Sequence, residues 1–140
     1  MNLDILLVED EAADIYLIQR AIADCCPQSH VWVVSQGSDA LAFLRHEPPF
    51  VTVPPPALII LDLNVPQLDG HTLLALLRRL SAYRTTPVIV ISGSERAVEE
   101  PRCRQLGANG YVEKSRDFAT YFGGIQASVR NWLRIGGLPS

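Results

Sequence analysis

Four stretches of the chain carry side chains suited to phosphorus chemistry. Glu9, Asp10 and Glu11 form an acidic run. Asp62 directly follows the apolar run Ala57 to Leu61, with Asn64 two positions on. Ser92, Gly93 and Ser94 follow a second apolar run, and Lys114 closely follows Tyr111-Val112. Carboxylates that converge repel one another unless a cation neutralises them. Mg²⁺ suits such a site, because it takes oxygen ligands and keeps several waters. One carboxylate can then act as a nucleophile. A lysine and a hydroxyl can hold the oxygens of a transferred phosphoryl group, since phosphoryl transfer mainly needs positioning and charge neutralisation.

These residues converge only if the chain brings several strand ends to one edge. Ile5 to Val8, Val31 to Val34, Ala57 to Leu61, Pro87 to Ile91 and Tyr111-Val112 predict five short strands. Unbroken apolar runs of this kind suit strands buried on both faces. Between them, Ile15, Ile18, Ala21 and Ile22 mark one helix. Ala40, Leu41, Phe43 and Leu44 mark another, with Ser38 as its expected N-cap. Leu73, Leu74, Leu77 and Leu80 mark a third. A fourth, between Glu95 and Leu106, should be broken or shortened by Pro101, with Gly107 as its stop. Phe118, Tyr121, Phe122, Ile125, Val129, Trp132 and Leu133 make a long final stripe, interrupted by Gly123 and Gly124. His46 to Pro56 holds five of the ten prolines and reads as a stiff loop. The order is (βα) five times, an α/β class with a parallel sheet and helices on both faces. Ligands of such sheets bind beyond the C-terminal strand ends, where the polar residues above fall.

Composition limits the alternatives. The chain has 140 residues, 48% hydrophobic, with 12 basic and 15 acidic side chains and a formal charge of -3. That length suits one domain, and the slight acidity argues against a nucleic-acid binder. The expected division is a domain over 1–134 and a tail over 135–140, with no separate output domain. Cys25, Cys26 and Cys103 are odd in number, which excludes a disulfide framework and suits incidental thiols. No apolar run nears the roughly 20 residues of a membrane span. The start of the chain lacks a basic signal region. Both point to a cytoplasmic protein. His30, His46 and His71 converge on no strand end and are expected to be surface or packing residues. Glu11 and Asp14 are expected to favour the positive end of the first helix.

Taken together, ILLVED (Ile5 to Asp10), LDLNVPQLDG (Leu61 to Gly70), VISGS (Val90 to Ser94) and LGANGYVEK (Leu106 to Lys114) resemble a response regulator receiver domain of two-component signalling. The resemblance spans essentially the whole chain. It implies a flavodoxin-like doubly wound sheet of order 2-1-3-4-5. It also implies that Asp62 accepts a phosphoryl group from a sensor histidine kinase. Glu9, Asp10, Asp62 and the backbone carbonyl of Asn64 would hold Mg²⁺. Ser92 and Lys114 would contact the phosphoryl group, Ser92 and Tyr111 would act as the switch, and Asn64 and Ser94 would tune dephosphorylation. Two departures stand out. Val65 replaces the usual Met. Lys114-Ser115 replaces the usual Lys-Pro with its cis bond, and without proline a cis bond costs about 2.5–4 kcal/mol, so a trans bond is expected.

The Lys-Ser pair, the proline-rich loop and the tail with Trp132 and Leu138-Pro139 are most similar to single-domain regulators paired with bacterial and cyanobacterial phytochrome kinases. With no attached effector, the signal would leave through contact with a downstream protein. The aromatic stripe suggests a homodimer through Phe118, Tyr121, Phe122, Trp132 and Leu138. Competing readings are a phosphate sink, a constitutive binding module, an aspartyl-nucleophile phosphohydrolase and a flavin electron carrier. The hydrolase would want an acid where Asn64 stands. The electron carrier would want a phosphate loop where Glu9 to Glu11 stand.

Overall fold

The computed structural model describes residues 3–137, with side chains described for residues 3–133. Five strands alternate with five helices: β1 (Asp4–Val8), α1 (Ala12–Cys25), β2 (His30–Val34), α2 (Gly37–Leu44), β3 (Leu58–Asp62), α3 (Gly70–Arg79), β4 (Val88–Ser92), α4 (Arg96–Gln105), β5 (Gly110–Glu113) and α5 (Phe118–Gly137). All pairs are parallel, in the order β2-β1-β3-β4-β5. This is the doubly wound arrangement the sequence implied.

Alternation along each strand divides the core. Leu6, Val8, Ile59, Leu61, Val88 and Val90 face α2, α3 and α4. Ile5, Leu7, Leu58, Ile60, Ile89 and Ile91 face α1 and α5. Every residue of β3 and β4 is buried. Each such Leu, Ile or Val is worth about 1.5–3 kcal/mol of burial, enough to hold the central strands rigid. Val8 pairs in register with Leu61, and Asp62 with Ile91, so the strands end together at one edge. Both β3 and β4 sit one residue later than the apolar runs suggest. Asp62 and Ser92 are therefore the last residues of their strands, fixed by ladder hydrogen bonds.

Two local expectations fail. Ser38 is not a cap: α2 begins at Gly37, with Gln36 at the N-cap and no capping side chain. Gly37 N–H instead donates to Pro66 C=O at 3.0 Å. A Cβ on Gly37 would lie 2.3 Å from the Leu68 carbonyl oxygen, so close approach of the loop after β3 set this boundary. The fourth helix is not broken either. α4 runs continuously through Pro101. Pro101 removes one N–H and costs about 3 kcal/mol relative to Ala. Glu100 bonds Arg96 and Arg104, each at 2.9 Å, one turn to either side. Such pairs return only about 0.3–0.5 kcal/mol each. The rest must come from packing, and Cys103 is the one buried residue of α4. α5 absorbs Gly123 and Gly124 and continues to Gly137, through part of the expected tail. The proline-rich stretch 46–56 forms neither helix nor strand, as expected.

Candidate functional site

The acidic edge lies over the ends of β1 and β3. Glu9 is fully buried, Asp62 is 3% exposed, and Asp10 is exposed beside them. Carboxylate oxygens of the three lie within 4.8 Å of one another. Glu9 Oε1 accepts the N–H groups of Asp10 (3.2 Å) and Glu11 (3.1 Å), which pins the turn into α1. Asp62 Oδ1 accepts the Asn64 N–H at 3.0 Å. A second clamp holds that loop from its far end. Gly70 N–H donates to Leu63 C=O at 3.0 Å, and a Cβ on Gly70 would lie 2.5 Å from Leu63 Cα. Asp69 then caps α3 by accepting the His71 and Thr72 N–H groups.

Lys114 crosses the site from the end of β5. Its Nζ lies 2.9 Å from Asp62 Oδ2, 3.1 Å from Asp14 Oδ2 and 3.1 Å from Glu9 Oε2. The contact to Glu9 is close enough for ion pairing but is not a directed hydrogen bond, so the buried Oε2 accepts none. Electrostatics follow from this crowding. Burial first, and then sharing with Asp62, push the Glu9 carboxyl up to about 7. Burial would push the Lys114 ammonium down, but hydrogen bonding and charge from Asp62, then Glu9, hold it above its usual range.

Asp14 is more than the helix-dipole residue that its sequence position suggests. It sits in the first turn of α1, and besides Lys114 it accepts the Tyr121 hydroxyl at 3.0 Å. An acid in the first turn after the first strand necessarily lies at the strand-end edge, and that is the signal the sequence offers. Tyr121 is only 5% exposed, its phenol pushed up by burial and then by Asp14. It is therefore withdrawn from the expected dimer surface. Phe118 is exposed and stacks on Phe122 at 5.3 Å, Trp132 is half-buried against the core, and Leu138 lies outside the described residues.

Ser92 is buried beside Asp62, and its Oγ accepts the Ser94 N–H at 3.0 Å. Tyr111 lies inward, with its hydroxyl donating to Ser94 C=O at 3.2 Å. The Lys114-Ser115 bond is trans, as expected; the cis bond among the described residues is Pro48-Pro49. Ser115 N–H donates to Glu113 C=O at 2.8 Å, a bond that proline could not make. Val65 is packed in the core. Arg78 carries no signal in the sequence that marks it out. Its guanidinium donates to the carbonyls of Tyr83, Thr86 and Gly107 and to Asn109 Oδ1, tying the loops before β4 and β5.

An acidic pocket at the strand ends of a 2-1-3-4-5 sheet, spanned by one lysine, is the arrangement of a phosphoryl-accepting signalling module. The family model of the response regulator receiver domain matches residues 5–122, and the chain belongs to that family. Among its relatives is the response regulator Rcp1 of Synechocystis sp. (strain ATCC 27184 / PCC 6803 / Kazusa), 32% identical over 97% of this chain and 92% of Rcp1. A crystal structure of the phosphorylated cyanobacterial phytochrome response regulator RcpA superposes with a TM-score of 0.90, at 35% identity over 100% of both chains. The Mn²⁺-bound form of Rcp1 superposes at 0.88, with 32% identity over 98% of this chain and 99% of that one. No helix among the described residues is long and apolar enough to cross a membrane.

Proposed function

We propose that this receiver domain takes a phosphoryl group from a histidine kinase onto Asp62 in a Mg²⁺-dependent reaction, and that the kinase is a bacterial phytochrome. The carrying observation is Asp62 at the end of β3, 2.9 Å from Lys114 and flanked by Glu9 and Asp10. The likeness to RcpA and Rcp1 supports the phytochrome pairing. Glu9, Asp10, Asp62 and the Asn64 carbonyl would hold the cation, and the buried Glu9 Oε2, which accepts no hydrogen bond and has only the Lys114 ammonium beside it, fits that role. When bound, Mg²⁺ supplies charge neutralisation at the phosphoryl oxygens.

An Asp62 carboxylate oxygen forms the bond to phosphorus as the phosphorus–nitrogen bond of the kinase phosphohistidine breaks. Lys114 then turns its ammonium from Asp62 to a phosphoryl oxygen. The Ser92 hydroxyl leaves the Ser94 N–H for another phosphoryl oxygen, and Tyr111, hydrogen-bonded to Ser94, follows. Asn64 and Ser94 border the path by which water reaches the phosphoryl group. Output passes through a cytoplasmic protein contact, with a homodimer using the exposed Phe118 and its neighbour Phe122 on α5.

The test is labelling with acetyl phosphate and Mg²⁺. Wild type should take up one phosphoryl group and Asp62→Asn none. Equal labelling of the variant would remove Asp62 from the role. Phosphotransfer profiling against purified histidine kinases decides the pairing, and a phytochrome kinase should transfer fastest. Sedimentation with and without phosphodonor decides the dimer.

A further inference from the structure

On the opposite side of α4 from solvent, three side chains of different chemistry meet. His71 Nε2 contacts Glu99 Oε1 directly. Cys103 Sγ lies 3.8 Å from the same oxygen. One ligand atom from each of the three lies within 4.8 Å of the others. Glu99 and Cys103 are four residues apart, so they share a face of α4. His71 comes from the first turn of α3. All three are sheltered: the His71 side chain is 21% exposed, that of Glu99 is 14%, and Cys103 is buried.

We propose that His71, Glu99 and Cys103 form a second cation site, for a divalent ion of the zinc class, which ties the start of α3 to α4. The donor set decides the ion. Imidazole nitrogen, carboxylate oxygen and thiolate sulfur together suit Zn²⁺, with a water completing a tetrahedron. Mg²⁺ and Ca²⁺ prefer oxygen alone, so this site and the all-oxygen pocket of Glu9, Asp10 and Asp62 select different metals. The 3.8 Å between Cys103 and Glu99 matches two ligands on one ion bonded at about 2.0–2.3 Å. The His71–Glu99 hydrogen bond is what the ion replaces.

A second layer is present as well. His71 Nδ1 lies 3.8 Å from Asp69 Oδ1, too far for a hydrogen bond but near enough for the carboxylate to favour a proton on Nδ1, which leaves Nε2 for the metal. A groove of about 530 Å³ lined by His71, Thr72, Arg79, Arg102, Gln105 and Leu106 opens beside the cluster and offers a way in. Arg79 and Arg102 there oppose a cation. Glu99, Asp69 and the thiolate that coordination would create outweigh them.

The placement has a consequence. Glu99 and Cys103 bracket Pro101, at the weakest point of α4. An ion joining residues four apart bridges that point. Glu99 and Cys103 also act electrostatically on Tyr111, so an occupied site lies next to the switch residue.

The experiment uses the full chain carrying Cys25→Ala and Cys26→Ala, which leaves Cys103 as its single thiol, in saturating Mg²⁺ to fill the acidic pocket. Co²⁺ is the probe. Binding of one equivalent should produce a thiolate-to-cobalt charge-transfer band, and Zn²⁺ should bleach it. His71→Ala should weaken Co²⁺ binding by at least about tenfold. Cys103→Ser should abolish the band. No band, or a band whose affinity is unchanged in His71→Ala, overturns the site. Should the alanine variant fail to fold, His71→Gln replaces it, with the same loss of affinity expected and the same unchanged affinity overturning the site. Acetyl phosphate labelling of Asp62 is read separately, so failure of this site and failure of the phosphoacceptor assignment are distinguishable.

Discussion

Lys114→Met removes the ammonium that Glu9, Asp14 and Asp62 share while keeping an apolar stem. Lys114 is 20% exposed and Glu9 not at all, so solvent screens this contact little. In metal-free protein the variant should lose about 3–5 kcal/mol near neutral pH or above, the range for breaking a buried ion pair from one side. The pH dependence is the sharper test. Glu9 lies at about 7 against its ordinary 4.5. A carboxyl raised in this way contributes stability that is fully present below its unfolded value and is lost as pH rises through its folded value. Lys114 is among the groups holding Glu9 down, so in the variant Glu9 rises further. Between about 4.5 and about 7 both proteins lose the Glu9 contribution in parallel as pH rises. Above it, wild type levels off, whereas the variant continues to lose about 1.4 kcal/mol per pH unit until its own Glu9 ionises. The deficit should therefore be about 1–2 kcal/mol larger at about pH 8.5 than at about pH 6. Saturating Mg²⁺ should shrink it, because the cation takes over the neutralising role. Urea unfolding followed by Trp32 and Trp132 fluorescence measures all of these conditions. A deficit equal at both pH values and unchanged by Mg²⁺ would refute the idea that Lys114 is the internal counter-ion.

Mg²⁺ binding must release the Glu9 proton, so affinity should rise about tenfold per pH unit below about 7 and flatten above it; isothermal titration across buffers checks both the slope and the released proton. Pro101→Ala should stabilise the protein by about 2 kcal/mol, the helix gain of about 3 less the lost restriction of the unfolded chain; a raised urea midpoint at constant slope is the expected result, and an unchanged midpoint counts against a strained α4. Gly70→Ala should cost about 1–3 kcal/mol, because its Cβ meets backbone at Leu63; Mg²⁺ affinity should fall with it, since the same contact closes the Asp62 loop. Tyr121→Phe should cost about 1.5–3 kcal/mol through the lost hydrogen bond to the Asp14 carboxylate, with thermal unfolding as the readout.

Much of the molecule is legible in the order of residue types. Five apolar runs alternating with helical stripes leave few arrangements other than a doubly wound parallel sheet. In such a sheet polar residues at strand ends share one edge, so Glu9, Asp10, Asp62, Ser92 and Lys114 can be grouped from the sequence. Local rules fail where tertiary contact overrides them. Ser38 is a good cap by type, but packing of Gly37 against Leu68 moves the helix start. Pro101 is a helix breaker by type, but α4 is held by its neighbours and stays whole. Tyr121 belongs to an apolar stripe, and periodicity cannot tell a ring that ends in solvent from one whose hydroxyl meets a carboxylate.

Sequence by itself determined the architecture and the chemical inventory of the acidic edge, because strand burial and element order act through short-range pattern. Only the tertiary structure decided which acids share Lys114, that Asp14 and Tyr121 complete the set, and that Arg78 ties two loops together. Only it brought His71 to Glu99 and Cys103 across 28 and 32 positions of chain. Those pairings depend on side-chain direction and on distance between elements remote in sequence, and no periodicity along one element records either.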